Sequence, residues 1–340
     1  MRPEPPTTFR HEPVMVAEIL DYLAPRAGGV YVDATLGGGG HARAILERSA
    51  PDGRLLAVDR DPDALQNAEL TLGPFRDRIS LFRGVFTDLP RFLADAGHAG
   101  VDGLVVDLGL SLHQLEGSGR GFSFRREEPL DMRMDPGEGE TAADLIHDLS
   151  VDELADLFRR LGEERFSGRI ARAVVRARSR SAIRTSAQLA DIIADAVPRN
   201  QGRIHPATRV FMALRIAVNR ELELLEQFMA LVPDWLYPGG RLCILTFHSL
   251  EDRIVKHRIR AASRSCVCPP SLPVCACSGR PILHNLTPRV HRPGAAEIAA
   301  NPMARSAKLR VAEKCQPTES LGPRAEELEP RGENGTERSL

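Results

Sequence analysis

Short apolar runs separated by amphipathic stretches open the chain after its first 29 residues. VYVDAT (30–35), RLLAVD (54–59), RISLFR (78–83) and VDGLVVDL (101–108) are mostly apolar, are edged by Gly, Pro or Asp, and predict strands. Residues 40–49, 61–72 and 87–97 between them carry helical periodicity. Strands alternating with helices imply a parallel sheet covered on both faces.

The alternation then stops. From 138 to 232 the pattern is helical, ending in the long run HPATRVFMALRIAVNRELELLEQFMALV. Ser150 and Glu153 have capping-box spacing, and Pro206 suits a first helical position. A strand returns at GRLCILTF (240–247) after the turn YPGG, followed by a helix at 249–262 and two further strands near 282–288 and 306–314. The economical layout is an α/β fold with a mostly parallel sheet built from 11–137 and 233–314, interrupted by an inserted helical domain at 138–232. Residues 1–10 read as a flexible N-terminus. Residues 315–340 are too polar to repay their ordering entropy and read as a disordered tail.

Composition narrows the class. With 42% hydrophobic and 27% charged residues, the 340-residue chain is an ordinary globular protein with ample core. No apolar run reaches the roughly 18 residues of a membrane span, and the N-terminus lacks a signal peptide's apolar core, so a cytoplasmic protein without a membrane partner is expected. A net charge of -1 excludes a uniformly basic nucleic-acid binder but averages over unlike segments. Residues 159–184 hold nine arginines (159, 160, 165, 169, 172, 176, 178, 180, 184) against Glu163 and Glu164. Such a run is commonly a solvated face, and it also suits phosphate contacts that position an RNA without reading it.

The stretch YVDATLGGGGHARAIL (31–46) carries the first chemistry: a strand, a glycine-rich turn and a helix start. That arrangement aims backbone N–H groups and the positive helix end at a ligand with no Cβ in the way. Gly37, Gly39 and Ala42 match G-x-G-x-x-A spacing, and Asp59 ends the second strand 20 residues after Gly39, where it can accept both ribose hydroxyl protons. NAD and S-adenosylmethionine (SAM) fit equally to this point. Asp33 before the turn and Asp107 at the end of the fourth strand tip the balance, because acids repel a pyrophosphate and attract an ammonium and a sulfonium. The plain alternative for Asp33 is a carboxylate that caps the turn. Phe86 offers a π-face at the adenine side, or a core aromatic.

The sequence resembles the MraW/RsmH methyltransferase family. The matching pieces are HEPVM (11–15), DATLGGGGH (33–41), AVDRDPDAL (57–65), DLGLSLHQL (107–115), RGFSF with PLDMRMD (120–135), GEERFSGRIA (162–171), HPATRVFMALRIAVNREL (205–222), PGGRLCILTFHSLEDRIVK (238–256) and NPMARSAKLRVAE (301–313). The usual T-F-Q reads V-F-M at 210–212, and the usual Y-G-E-E-R begins with Leu161. The resemblance implies a SAM-dependent, Rossmann-like methyltransferase sheet with a helical domain inserted after the fourth strand. It implies methylation of the exocyclic amino group (N4) of a cytosine in the decoding region of small-subunit ribosomal RNA. It further implies SAM contacts from Gly39, Gly40, His41, Asp59, Phe86, Asp107 and Gln114, with the small ribosomal subunit RNA as partner. No metal is assigned to the site, and a homodimer is left open. An NAD-dependent oxidoreductase would account for the glycine turn and Asp59 but not for Asp33 or the insertion. A methyltransferase acting on DNA or a small-molecule amine, and a non-catalytic RNA-binding module, are the other readings.

A cytosine amino group is a poor nucleophile because its lone pair is delocalised into the ring, so its attack needs an acceptor on the N–H and in-line positioning. Asp107 occupies the place for such an acceptor, either in that role or as a cofactor ligand only. His248 and Ser249 follow the last parallel strand toward the same crevice, although Ser249 with Asp252 also has helix-cap spacing. Phe122 and Phe124 could stack on an extruded base or pack in a core. Cys266, Cys268, Cys275 and Cys277 have one-residue spacers within each pair, unlike familiar structural zinc sites, so reduced thiols are expected there.

Overall fold

A computed structural model describes residues 13–198, 205–265, 268 and 280–316. Its strands are β1 (Val30–Asp33), β2 (Arg54–Asp59), β3 (Ile79–Arg83), β4 (Val101–Asp107), β5 (Leu236–Thr246), β6 (Leu283–Asn285) and β7 (Lys308–Lys314). They form one seven-stranded sheet in the order β3-β2-β1-β4-β5-β7-β6. The first five pair in parallel, while β7 runs antiparallel to both β5 and β6. The strand order reverses between β1 and β4, which opens a crevice at their carboxyl ends.

The helices are α1 (Val16–Leu23), α2 (Gly40–Arg48), α3 (Pro62–Thr71), α4 (Leu89–Asp95), α5 (Leu112–Glu116), α6 (Ala142–Asp148) and α7 (Val151–Gly162). They continue with α8 (Ser167–Arg178), α9 (Ser186–Ala196), α10 (Ala207–Asn219), α11 (Glu221–Trp235), α12 (Ser249–Ala262) and α13 (Ala295–Ala300). Alternate strand residues feed opposite layers, as the pleat requires. Val32, Leu56, Leu104 and Ile244 pack with Phe92 of α4, Phe228 of α11 and Val255 of α12. Tyr31, Leu55, Val105 and Leu245 pack with Ile19 of α1, Ile45 of α2 and Ala68 of α3.

Helices α6 to α10 have a separate core that includes Phe158, Ile170, Val174, Leu189, Ile193 and Leu214. This core also takes in Phe122, Leu130 and Met132, so it recruits chain well before position 138. The long apolar stretch expected as one helix is two. Arg220 has φ 51° and separates α10 from α11, whose Leu225, Phe228, Met229 and Val232 belong to the sheet's core. Asn219 holds the break: its Nδ2 donates to Met132 O at 2.7 Å and its Oδ1 accepts from Met134 N at 2.8 Å. Periodicity continues across a one-residue kink, so the pattern alone does not expose it.

Arg120 ties the insertion's leading loop to the sheet domain. Its guanidinium is buried and donates to Asp61 at 2.7 Å, to Asp63 at 3.3 Å and to the carbonyl oxygen of Met134 at 2.7 Å. Asp61 in turn caps α3, and Gln114 Nε2 donates to the same carboxylate at 3.0 Å.

Cys243 is fully buried, with its thiol pushed up to about 12 by burial, while Cys315 is half-buried. Cys266, Cys275 and Cys277 lie outside the described residues, as do 1–10 and most of 315–340. Among the described residues no helix is long and apolar enough to cross a membrane.

Candidate active site

A cleft with about 1030 Å³ of empty space, open solvent at its mouth included, runs along the carboxyl ends of β1, β2 and β4. Gly40, His41, Asp59, Phe86, Asp107 and Gln114, from five separate segments of sequence, all line it. Gly39 is not among the lining residues. It is the left-handed N-cap of α2, with φ 78°, a conformation that costs glycine nothing. Gly37 and Gly38 do line the cleft, so the turn presents three glycines, Gly37, Gly38 and Gly40, of which Gly40 is one of the two expected. A Cβ on Gly40 would lie 2.5 Å from Pro13 Cγ, so that glycine permits the N-terminal strap to close over the turn.

Asp59 accepts from Gly37 N at 2.8 Å and Asp61 N at 2.9 Å, and burial pushes its carboxyl up to about 6. Asp33 is 1% exposed and lies behind the turn, not on the cleft wall. Its Oδ1 accepts from Thr35 N at 3.2 Å, and burial first, then the charges of Asp107 and Asp59, hold its carboxyl well above the usual range. Asp33 therefore caps the turn, while Asp59 and Asp107 are the two of the three acids that line the cleft.

Asp107 Oδ1 accepts from Gly109 N at 3.3 Å, and Oδ2 faces His41 Nδ1 at 4.0 Å. His41 Nε2 lies 2.9 Å from Val14 O, and since a carbonyl only accepts, that nitrogen carries a proton. Phe86 lines the cleft and meets Phe228 edge-on at 5.1 Å. Gln114 spends its amide within α5's cap and on Asp61, which positions the cleft wall.

The lining also includes residues that sequence did not single out: Arg60, Met134, Glu221 and Glu251. Glu221, His248 and Glu251 bring three ligand-type atoms within 4.8 Å of one another. Arg215 holds both Glu221 oxygens at 2.8 Å, and backbone N–H groups hold one Glu251 oxygen, so the group's charge is met from within the protein. Glu251 was hidden by its spacing. His248, not Ser249, is the N-cap of α12, and its partner in the capping box is Glu251. Ser249 Oγ instead donates to Glu163 at 2.7 Å, joining the insertion to α12, while Asp252 pairs with Lys308 and Arg310.

Phe122 and Phe124 do not reach the cleft. Phe122 is buried in the insertion's core, and Phe124 stacks on His205 at 4.5 Å and meets Phe211 edge-on. Among the nine arginines, Arg159 and Arg160 pair with Asp156, and Arg178 donates to Ile146 O. Arg165, Arg169, Arg172, Arg176 and Arg180 follow one another at three- and four-residue steps along α8 and its flanks, all exposed.

Residues 8–315 match the MraW methylase family. The chain belongs to that family. A relative from Desulfosudis oleivorans named "Ribosomal RNA small subunit methyltransferase H" is 51% identical over 310 residues, covering 90% of this chain and 99% of that one. Same-named relatives from Geobacter sulfurreducens (53% over 309 residues, 90% and 99% covered) and Thermomicrobium roseum (50% over 311 residues, 92% and 95% covered) agree. Membership makes the protein a SAM-dependent methyltransferase and sets aside the oxidoreductase reading. The donor set suits that cofactor: a glycine turn opens onto the cleft, and four carboxylates, Asp59, Asp107, Glu221 and Glu251, line it against one arginine, Arg60, an excess that favours a cationic sulfonium.

Proposed function

We propose that this methyltransferase modifies the exocyclic N4 amino group of a cytosine in the decoding region of small-subunit ribosomal RNA. The observation that carries this reading is the acid-lined cleft at the strand reversal, in a chain alike to its ribosomal-RNA relatives along almost its whole length. Bound SAM supplies an electrophilic methyl group. The chain's own residues do the rest. The glycine turn and Asp59 hold the cofactor's amino-acid and ribose parts, and Phe86 covers the adenine.

Among the described residues Asp107 Oδ2 makes no ion pair shorter than the 4.0 Å to His41 Nδ1, and it accepts one N–H of the target amine and turns the nitrogen toward the methyl carbon. An Asp107→Asn enzyme should then transfer methyl more slowly in single turnovers with SAM saturating; an unchanged rate would assign Asp107 to cofactor binding alone. The arginines of α8 supply phosphate contacts beside the catalytic half, as expected for an enzyme that must hold a large RNA while one base enters a cleft. Mass-spectrometric mapping of ribosomal RNA from a strain lacking the gene tests the reading: one cytosine methyl group should be lost from the small subunit.

A further inference from the structure

An exocyclic amine carries two N–H groups, and a single carboxylate oxygen accepts one. Asp107 stands at the end of β4; the neighbouring β5–α12 corner contributes Glu251 to the same cleft, and the start of α11 contributes Glu221. Of these two, Glu251 is the rigid one with acceptor capacity to spare. It is 2% exposed, and its Oε2 accepts from Phe247 N at 2.8 Å and from His248 N at 3.3 Å. Its Oε1 lies 3.0 Å from His248 Nε2. His248 Nδ1 accepts the Glu251 backbone N–H at 3.4 Å, which places the neutral ring's proton on Nε2. That nitrogen is buried and makes no aligned hydrogen bond, so Oε1 keeps its acceptor capacity. The corner is pressed onto the loop that follows Asp107. A Cβ on Gly109 would sit 3.0 Å from the Phe247 ring, and Leu108 N donates to Leu245 O at 3.2 Å.

We propose that Glu251, fixed by His248 and by the backbone at the head of α12, is a specificity-determining residue whose Oε1 accepts the second N–H of the target amine. The inference rests on the amino-methyltransferase reading above. With Asp107 on one hydrogen and Glu251 on the other, the nitrogen is held with its lone pair facing the donor. That lone pair forms the N–CH₃ bond as the C–S bond breaks with its electron pair going to sulfur, and the displaced amine proton passes to the carboxylate that held it. A pyrimidine with oxygen in place of the amine would set its lone pairs against Glu251, so the same contact rejects uridine.

Ligand-observed NMR on the full chain with cytidine 5′-monophosphate and uridine 5′-monophosphate reads this without turnover. The wild-type protein should prefer the cytidine nucleotide by about 10-fold or more. Glu251→Gln retains an oxygen for the helix cap and should lose most of that preference, with thermal unfolding showing the variant folded. His248→Asn, itself a competent cap residue, should lower the preference in part. Equal binding of the two nucleotides by wild type, or full preference in a folded Glu251→Gln, overturns the proposal. Failure of wild-type protein to methylate ribosomal RNA would instead overturn the functional reading, and the nucleotide preference is measured independently of it.

Discussion

The backbone N–H of Gly37 donates to Asp59 Oδ2 at 2.8 Å, which makes the glycine turn and the end of β2 one unit. In the function proposed above the same carboxylate receives the cofactor's ribose, so binding and local architecture titrate together.

That coupling has a sign. Burial raises the Asp59 carboxyl to about 6, so in the ligand-free chain this group's stabilising contribution is full below its ordinary range and is lost as pH rises through about 6. Cofactor binding demands the opposite, ionised form. SAM affinity measured by calorimetry should be flat above about pH 7 and fall roughly tenfold per pH unit well below 6. Asp59→Asn should bind weakly at every pH, with that dependence gone; an Asn variant retaining the wild-type pH profile would place the titration elsewhere.

Gly40 sets the closure of the N-terminal strap. Because a Cβ there meets Pro13 Cγ at 2.5 Å, Gly40→Ala must push the strap away or strain the turn, at about 1–3 kcal/mol. Thermal unfolding should show the loss, and SAM affinity should fall with it, since Pro13 lines the cleft. Wild-type values for both would show that the strap yields freely.

Arg120 is the clamp between the two cores. Removing it leaves Asp61 buried without its cation, and Arg120→Ala should cost about 3–5 kcal/mol in denaturant unfolding. A cost below about 1 kcal/mol would mean that Gln114 and the α3 cap hold Asp61 unaided.

The exposed arginines of α8 have a separate signature. If they contact phosphates, the triple change Arg172→Ala, Arg176→Ala and Arg180→Ala should lower the salt dependence of RNA binding by about one unit of log–log slope per arginine, while SAM binding is unaffected. An unchanged slope would return this stripe to the status of a solvated face.

The sheet was legible because its strands are buried on both faces and read as continuous apolar runs such as LLAV and LVV, with turn residues at their ends. The glycine turn and the acids at strand ends were legible for the same topological reason. Two features were not. The break at Arg220 interrupts one residue of an otherwise unbroken helical period, and it is held by Asn219 through bonds to residues 132 and 134, a contact that no local pattern encodes. The role of Asp33 also escaped. Sequence places a carboxylate at the end of β1, but whether it meets solvent depends on how the next four residues fold over it. Glu251 was obscured because a capping box normally announces itself with Ser or Thr, and here the cap is His248.

Transfer of labelled methyl groups by the purified chain tests the central claim most directly. Incubated with methyl-labelled SAM and small-subunit particles from a strain lacking the gene, the protein should place label in N4-methylated cytidine at one position, and Asp59→Ala should abolish transfer at limiting SAM. Label appearing in another nucleoside, or no incorporation by a protein that binds SAM, would contradict it.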